Sequence, residues 1–237
     1  MNNEFISDLD KLGLNLSDRQ LGLFDQYFAF LVSENEKFNL TNITARDEVF
    51  KKHFIDSLSL FSYGLDLTQS YQVIDVGSGA GFPGIALKIA FPSLTITLLD
   101  SLYKRVSFLE ELIALLNLSG IHAIHGRAED LARSPSFREL YDFCVSRAVA
   151  NLSTLSEYCL PFVKPGGLFI AYKSEDVADE INNAQNGISL LGGQVDKHIS
   201  FTLPNSDITR SLVGIRKVSE TPSKYPRRAG LPGKKPL

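Results

Sequence analysis

Cysteine and histidine are scarce in this sequence. Cys144 and Cys159 cannot build a disulfide framework, and with four scattered histidines they offer no metal-ligand spacing, so no metal is expected. No apolar run approaches the roughly 20 residues that span a bilayer, and no charged-then-apolar leader opens the chain, so a reducing cytoplasm and no membrane partner are expected. Internal repeats are absent as well. Positive charge is short overall, the net charge being -3, which speaks against a nucleic-acid partner until it is divided. Residues 216–237 carry seven basic side chains against one acid, which leaves residues 1–215 at -9. What is present is ordinary for a globular protein: 237 residues, 44% hydrophobic and 22% charged, enough for one large domain with an appendage and expected to act as a monomer.

The chain is organised around Tyr71 to Ile85. Val73, Ile74 and Val76 have the character of a buried parallel strand, Gly77 to Gly81 of a tight loop, and Ile85 to Ile89 of a helix with Pro83 near its start. Glycines let a ligand lie against bare backbone. Gly79, Gly81 and Gly84 satisfy the dinucleotide spacing, but Asp75 at the strand end opposes an anionic pyrophosphate. The same acid suits S-adenosylmethionine, which brings an ammonium and a sulfonium and no phosphate.

Before this stretch, residues 1–64 have helical spacing. Phe5, Leu9 and Leu12 begin one helix, and Ser17 and Gln20 form a capping box ahead of Leu21, Phe24, Phe28 and Leu31. Thr44 is a candidate cap for a further helix, in which His53 and Asp56 stand at i, i+3 as a structural pair or, alternatively, as a substrate contact.

After it, strand and helix alternate, which implies a parallel sheet covered on both faces. Leu94 to Asp100 is the second strand, and Asp100 lies where an acid would bind cofactor ribose hydroxyls. A helix over 104–118 and a strand over 121–124 lead to Arg127-Ala128-Glu129-Asp130. There Glu129 has two readings, an acceptor for an adenine amine or a helix cap. Tyr141 to Val145 is the fourth strand, with Arg147 just beyond it, beside the first strand where strand order reverses. Cys144 is expected to be buried and inert rather than nucleophilic. A helix over 151–163, a turn at Lys164 to Gly167 and a strand over 168–172 present Lys173. Residues 188–203 and 211–218 close the sheet.

The last segment, Thr221 to Leu237, holds four of the ten prolines and is expected to contain neither helix nor central strand. Lys224, Arg227, Arg228, Lys234 and Lys235 around Tyr225 suit RNA phosphate binding; a merely solvated tail is the alternative.

Asn39-Leu40-Thr41-Asn42-Ile43, His53 to Leu58, Asp75 to Gly84, Arg127-Ala128-Glu129, Ser146-Arg147-Ala148-Val149 and Lys224-Tyr225-Pro226-Arg227-Arg228 together resemble the RsmG (GidB) family of bacterial 16S ribosomal RNA guanine-N7 methyltransferases. The resemblance spans nearly the whole chain, and the last two segments are its most specific part. It implies an α/β fold, a Rossmann-like class I methyltransferase sheet, mostly parallel with one antiparallel strand near the C-terminal end. An N-terminal helical extension (1–64), the S-adenosylmethionine-binding domain (65–218) and a basic tail (219–237) would follow in order. It implies that Gly77, Phe82, Ala128, Glu129 and Arg147 contact S-adenosyl-L-methionine, beside Asp75, Gly79 and Asp100 from the residue reading, and that 16S ribosomal RNA or the small subunit is the partner. N7 of guanine carries no proton, so no general base is assigned; Arg147 and Lys173 are candidates for positioning.

Overall fold

Residues 3–174 and 177–237 are described by the computed structural model. Five strands run parallel, β1 (Gln72–Val76), β2 (Thr95–Asp100), the half-exposed β3 (Ile121–His125), β4 (Tyr141–Arg147) and β5 (Val163–Lys173). With β6 (Gly193–Thr202) and β7 (Thr209–Lys217) they make one seven-stranded sheet in the order β3-β2-β1-β4-β5-β7-β6. β7 is antiparallel to both its neighbours, as expected of one strand near the C-terminal end. The order reverses between β1 and β4, and that crevice is where such sheets bind ligands.

Successive strand residues point to opposite faces and so feed two cores. Val73, Phe143, Val145, Leu168 and Ile170 pack on one face with the N-terminal helices; Ile74, Val76, Cys144, Phe169 and Ala171 pack on the other. The first face is covered by α1 (Asn3–Leu12), α2 (Asp18–Phe38), α5 (Gly84–Ala90) and α6 (Tyr103–Leu115). A continuous helical run joins them, made of α3 (Arg46–Val49), a π-helical turn (Phe50–Ile55), α4 (Asp56–Leu58) and a 3₁₀ turn (Ser59–Tyr63). Of the predicted stripe of α2, Phe24 and Leu31 are core, Phe24 standing 5.0 Å from Phe54, and Phe28 is half-buried; Tyr27, outside that stripe, is core as well, 5.2 Å from Phe82. The Ser17–Gln20 capping box forms, and Gln20 also donates to the carbonyls of Ile89 and Ala90, tying α2 to the end of α5.

The second face carries α7 (Ala128–Leu131), α8 (Leu152–Cys159) and α9 (Ala178–Leu190). Cys144 and Cys159 are free and buried there. Several expected boundaries differ. Ala45, not Thr44, starts α3, and it makes no side-chain cap. Lys164 to Gly167 belong to β5, whose pairing with β4 shifts register between Tyr141 and Phe143. Residues 188–190 end α9, a helix hidden in sequence by its asparagines and Gly187, which are weak formers. Among the described residues no helix is long and apolar enough to cross a membrane.

The tail is docked rather than solvated, and it contains a helix: α10 (Leu231–Lys234), with Pro232 in its first turn where a missing amide is tolerated. Arg138 donates to the carbonyls of Tyr225 (3.0 Å) and Thr221 (2.5 Å), and Arg133 to that of Pro226. At the root of the tail Lys217 is fully buried. Its ammonium is met by Glu139 (2.9 Å), the Leu160 carbonyl (2.8 Å) and the Thr221 hydroxyl (2.6 Å). Burial lowers the Lys217 pKa, and Glu139 opposes the shift.

Removing one member of a buried ion pair leaves an uncompensated charge, which typically costs about 3–5 kcal/mol, whereas an apolar replacement of the demanding partner costs less. Glu139→Ala should therefore lower the stability read by urea unfolding by about 3–5 kcal/mol, and Lys217→Met by less than half of that. Equal losses would show that the pair contributes packing alone.

Candidate active site

β1 delivers Asp75 to the carboxyl edge of the sheet, and the chain then turns through Gly77, Gly79 and Gly81 at φ of 78°, 58° and 97°, backbone that other residues adopt only under strain. Gly84 is required for a different reason, since a Cβ there would lie 2.3 Å from Leu98 Cδ2 and 2.8 Å from Asp75 Oδ2. That closeness lets the Gly84 amide donate to Asp75 Oδ2 at 2.9 Å. Asp75 is wholly buried and its Oδ1 has no hydrogen-bond partner among the described residues. Burial raises the carboxyl to about 7, against the pull of the Gly84 amide and Arg147. At the end of β2, Asp100 accepts from the Gly79 amide and the Leu102 amide, both at 2.9 Å, so the second acid ties the glycine loop to its neighbour strand.

Phe82 is held in an aromatic stack. Tyr27 lies 5.2 Å away on one side and its hydroxyl donates to the Ala80 carbonyl at 2.5 Å; His53 stacks at 4.6 Å; and the Arg147 guanidinium stands 5.0 Å from the ring centre. The predicted His53–Asp56 pair is replaced. Asp56 instead accepts from Arg147 Nη1 at 2.9 Å and from Arg210 Nε at 3.0 Å, while His53 Nε2 pairs with the Thr41 hydroxyl at 2.9 Å. Two guanidiniums outcompete a neutral imidazole for one carboxylate. Burial first, then Arg147, push His53 down to about 3, so the ring is neutral through the physiological range.

Two cavities open at this edge. One, of about 130 Å³, is lined by Gly77, Ser101, Gly126, Ala128, Glu129 and Tyr158. The other, of about 670 Å³, is lined by Lys52, His53, Asp56, Arg147, Lys173 and Arg210. Between them runs the segment after β4, in which Ala148 has a φ of 57° and Val149 closes on the loop so tightly that a Cβ on Gly77 would fall 2.4 Å from Val149 Cγ2. Lys173 is held by Glu180 at 2.6 Å and donates to the Ala150 carbonyl at 2.9 Å, so it braces this segment from the cleft side.

The candidate donor residues Asp75, Gly77, Gly79, Phe82, Asp100 and Arg147 are thus brought together at one edge, with Ala128 on the small cavity's wall. Glu129 does not cap α7; it lines the small cavity, and its buried carboxylate accepts from the Gly230 amide at 2.8 Å. Of the tail bases, Lys224, Arg228, Lys234 and Lys235 are exposed, whereas Arg227 is engaged by Glu157 through both carboxylate oxygens. Lys52, Arg210, Tyr27 and Glu157 went unread in the sequence. Arg210 sits on a strand whose antiparallel insertion no local pattern announces. Among the described residues no group of three or more histidine, cysteine, aspartate or glutamate side chains could hold a metal ion.

The donor set suits a cationic ligand better than a phosphate-bearing one, since the orphaned Asp75 Oδ1 is a buried acceptor that an ammonium would satisfy and a pyrophosphate would not. The small cavity is below the roughly 300–1,000 Å³ of sites for drug-sized molecules, so it would take only part of such a ligand.

A family model described as rRNA small subunit methyltransferase G, GidB, matches residues 20–210. The chain is 48% identical over 242 residues to the Ribosomal RNA small subunit methyltransferase G of Lachnoclostridium phytofermentans, covering 100% of this chain and 97% of that one. It is 51% identical over 227 residues to the protein of the same name from Alkaliphilus metalliredigens, covering 96% and 95%. Among solved structures, the fold resembles a methyltransferase from a Haloferax volcanii complex with the Trm112 methyltransferase activator (TM-score 0.58, 14% identity, 80% of this chain and 98% of that one). It also resembles M. jannaschii TYW2 in complex with AdoMet (TM-score 0.50, 12% identity, 68% and 74%).

Because burial raises the Asp75 carboxyl from 3.8 to about 7, the folded chain holds a proton that the unfolded chain releases near pH 4. The stability tied to this group is fully present below about pH 4 and is lost as the pH rises through about 7. Asp75→Asn should therefore gain stability relative to the parent between pH 4 and 8, by at most roughly 4 kcal/mol for about three pKa units. Urea titrations at each pH read the difference; a gap that stays constant would mean that the buried carboxyl is already ionised at acid pH.

Proposed function

Because the chain belongs to the GidB family of ribosomal RNA small subunit methyltransferases, we propose that it transfers a methyl group from S-adenosyl-L-methionine to N7 of one guanine in 16S ribosomal RNA. The observation that carries the acceptor side is the cleft of about 670 Å³ beside the glycine loop, in which Lys52, Arg147, Lys173 and Arg210 stand against Asp56 and Glu180. A basic concavity of this kind attracts and orients a polyanion. Guanine N7 offers an in-plane lone pair and no proton, so the protein's work is alignment rather than proton removal.

When bound, the donor supplies an electrophilic methyl on a sulfonium. The chain's own residues would hold it by charge and by bare backbone: Asp75 Oδ1 toward the ammonium, Asp100 and the Gly77–Gly79 loop along the ribose, and the Ala128 amide toward the adenine. Arg147 fits a carboxylate on the donor or a phosphate of the RNA. Its Nη1 already donates to Asp56 Oδ2, which keeps the guanidinium over Phe82 on the wall of the larger cavity. No side chain lining the acceptor cleft has the character of a base. His53 is pushed to about 3, and Asp56 is neutralised by two arginines. Lys224, Arg228, Lys234 and Lys235, exposed on the docked tail, are assigned to backbone phosphate, and Arg227 is withdrawn from that set.

Incubating the chain with 16S ribosomal RNA or the small subunit and methyl-labelled donor, then mapping the label, tests the acceptor; label on ribose or on an exocyclic amine would overturn it. The same chemistry sets the pH dependence. At saturating donor and RNA the single-turnover rate should be nearly flat from pH 6 to 9, and His53→Gln should alter binding or stability more than that rate. A rate that rises tenfold per pH unit and disappears in His53→Gln would require a proton-bearing acceptor.

A further inference from the structure

The tail is bonded to the two helices that wall the small cavity, α7 and α8. On one wall, Ala128 and Glu129 open α7, whose N-cap residue Arg127 provides no side-chain cap. Glu129 is 3% exposed, and its Oε1 takes the amide of Gly230, which sits at φ of 80°. On the other wall, Tyr158 follows Glu157 in α8. Glu157 is completely buried, and Arg227 surrounds it: the backbone amide and Nε donate to Oε1 at 2.7 and 2.9 Å, while Nε and Nη2 donate to Oε2 at 3.0 and 2.6 Å. The same Nη2 donates to the Lys235 carbonyl at 2.8 Å, which pulls the end of α10 onto the pair, and the Thr154 hydroxyl one turn earlier in α8 reaches the Pro232 carbonyl at 3.3 Å. Only two residues separate Arg227 from Gly230, so anchoring the first on α8 determines where the second meets α7.

We propose that Arg227 is a positioning residue for the methyl-donor pocket: locked on Glu157, it sets the Gly230 amide against Glu129 and thereby fixes the spacing between the Ala128–Glu129 wall and the Tyr158 wall. The proposal rests on the reading of that cavity as part of the donor site. It gives the most deeply held base of the tail a role in cofactor geometry rather than in RNA affinity. Arginine is needed because its planar fork meets both oxygens of a carboxylate that has no water to turn to, which an ammonium cannot do. Glu157 in turn must be an acid, since its two oxygens take four donations from a single residue.

The experiment uses the full chain with Arg227→Gln, Arg227→Lys, the double variant Arg227→Gln with Glu157→Gln, and Lys234→Ala with Lys235→Ala. Each is read by calorimetry with S-adenosylhomocysteine, by the salt dependence of binding to a 16S ribosomal RNA fragment, and by thermal unfolding. Arg227→Gln and Arg227→Lys should weaken S-adenosylhomocysteine at least tenfold and leave the RNA salt slope unchanged. The double variant removes the buried charge along with its partner, so it should regain thermal stability while donor affinity stays low. Lys234→Ala with Lys235→Ala should do the reverse, lowering the log-log slope by roughly 0.7–0.9 per lost phosphate contact with donor affinity unchanged. Donor affinity within twofold of the parent in the folded double variant overturns the proposal, as does a fall in salt slope on replacing Arg227. A parent chain that binds no S-adenosylhomocysteine would instead defeat the methyltransferase reading itself.

Discussion

Asp75 has one oxygen on the amide of Gly84 and the other without a hydrogen-bond partner among the described residues, in a place that solvent does not reach. A carboxylate in that position stays charged only if donors are supplied, and otherwise it takes up a proton. The first donor exists because Gly84 lacks a Cβ that would collide with the same carboxylate and with Leu98. That contact ties the end of the strand directly to the first turn of α5 across the loop. The second oxygen leaves a demand for a cationic or hydrogen-bond-donating group, and that demand separates an ammonium-bearing donor from a pyrophosphate.

The same requirement recurs around the site and explains how remote segments are placed. Asp100 holds the loop to β2, Asp56 gathers Arg147 from β4 and Arg210 from β7, Glu157 captures Arg227, and Glu129 takes Gly230. Each acid is buried, and each draws in a segment that is distant along the chain. Arg147 then acts on a third group. Its charge adds to burial in holding His53 neutral, which suits a ring stacked on Phe82 and is a poor basis for proton transfer. The electrostatic arrangement that orients the cleft also removes its histidine from acid-base chemistry.

Local features were legible in the sequence. The glycine loop, the alternation of strands and helices, the Ser17–Gln20 box and the aromatic stripe of α2 all depend on residues within a few positions of each other, where spacing carries the information. Arg147 was legible too, because the end of the fourth strand must lie beside the first. The partners of the buried acids were not. His53 and Asp56 share a helix face, yet two guanidiniums from β4 and β7 take the carboxylate, and nothing near Asp56 in the chain announces them. The π-helical turn over Phe50–Ile55 further alters the facing that regular helical spacing assumes.

Charge counting shows the same limit from the other side. The last 22 residues hold seven bases, and as a bare tail all seven would face a polyanion. Folding neutralises three of them internally: Lys217 on Glu139, Arg216 on Asp196, and Arg227 on Glu157. Lys224, Arg228, Lys234 and Lys235 remain at the surface, held by backbone that Arg133 and Arg138 grip through its carbonyls. A docked segment of this kind loses less conformational entropy on meeting RNA than a free tail would, so fewer charges can deliver a given affinity. The basic segment therefore combines two physical roles on one stretch of chain. Its buried Lys217 and Arg227 fasten the segment to the body of the protein, and its exposed bases face outward.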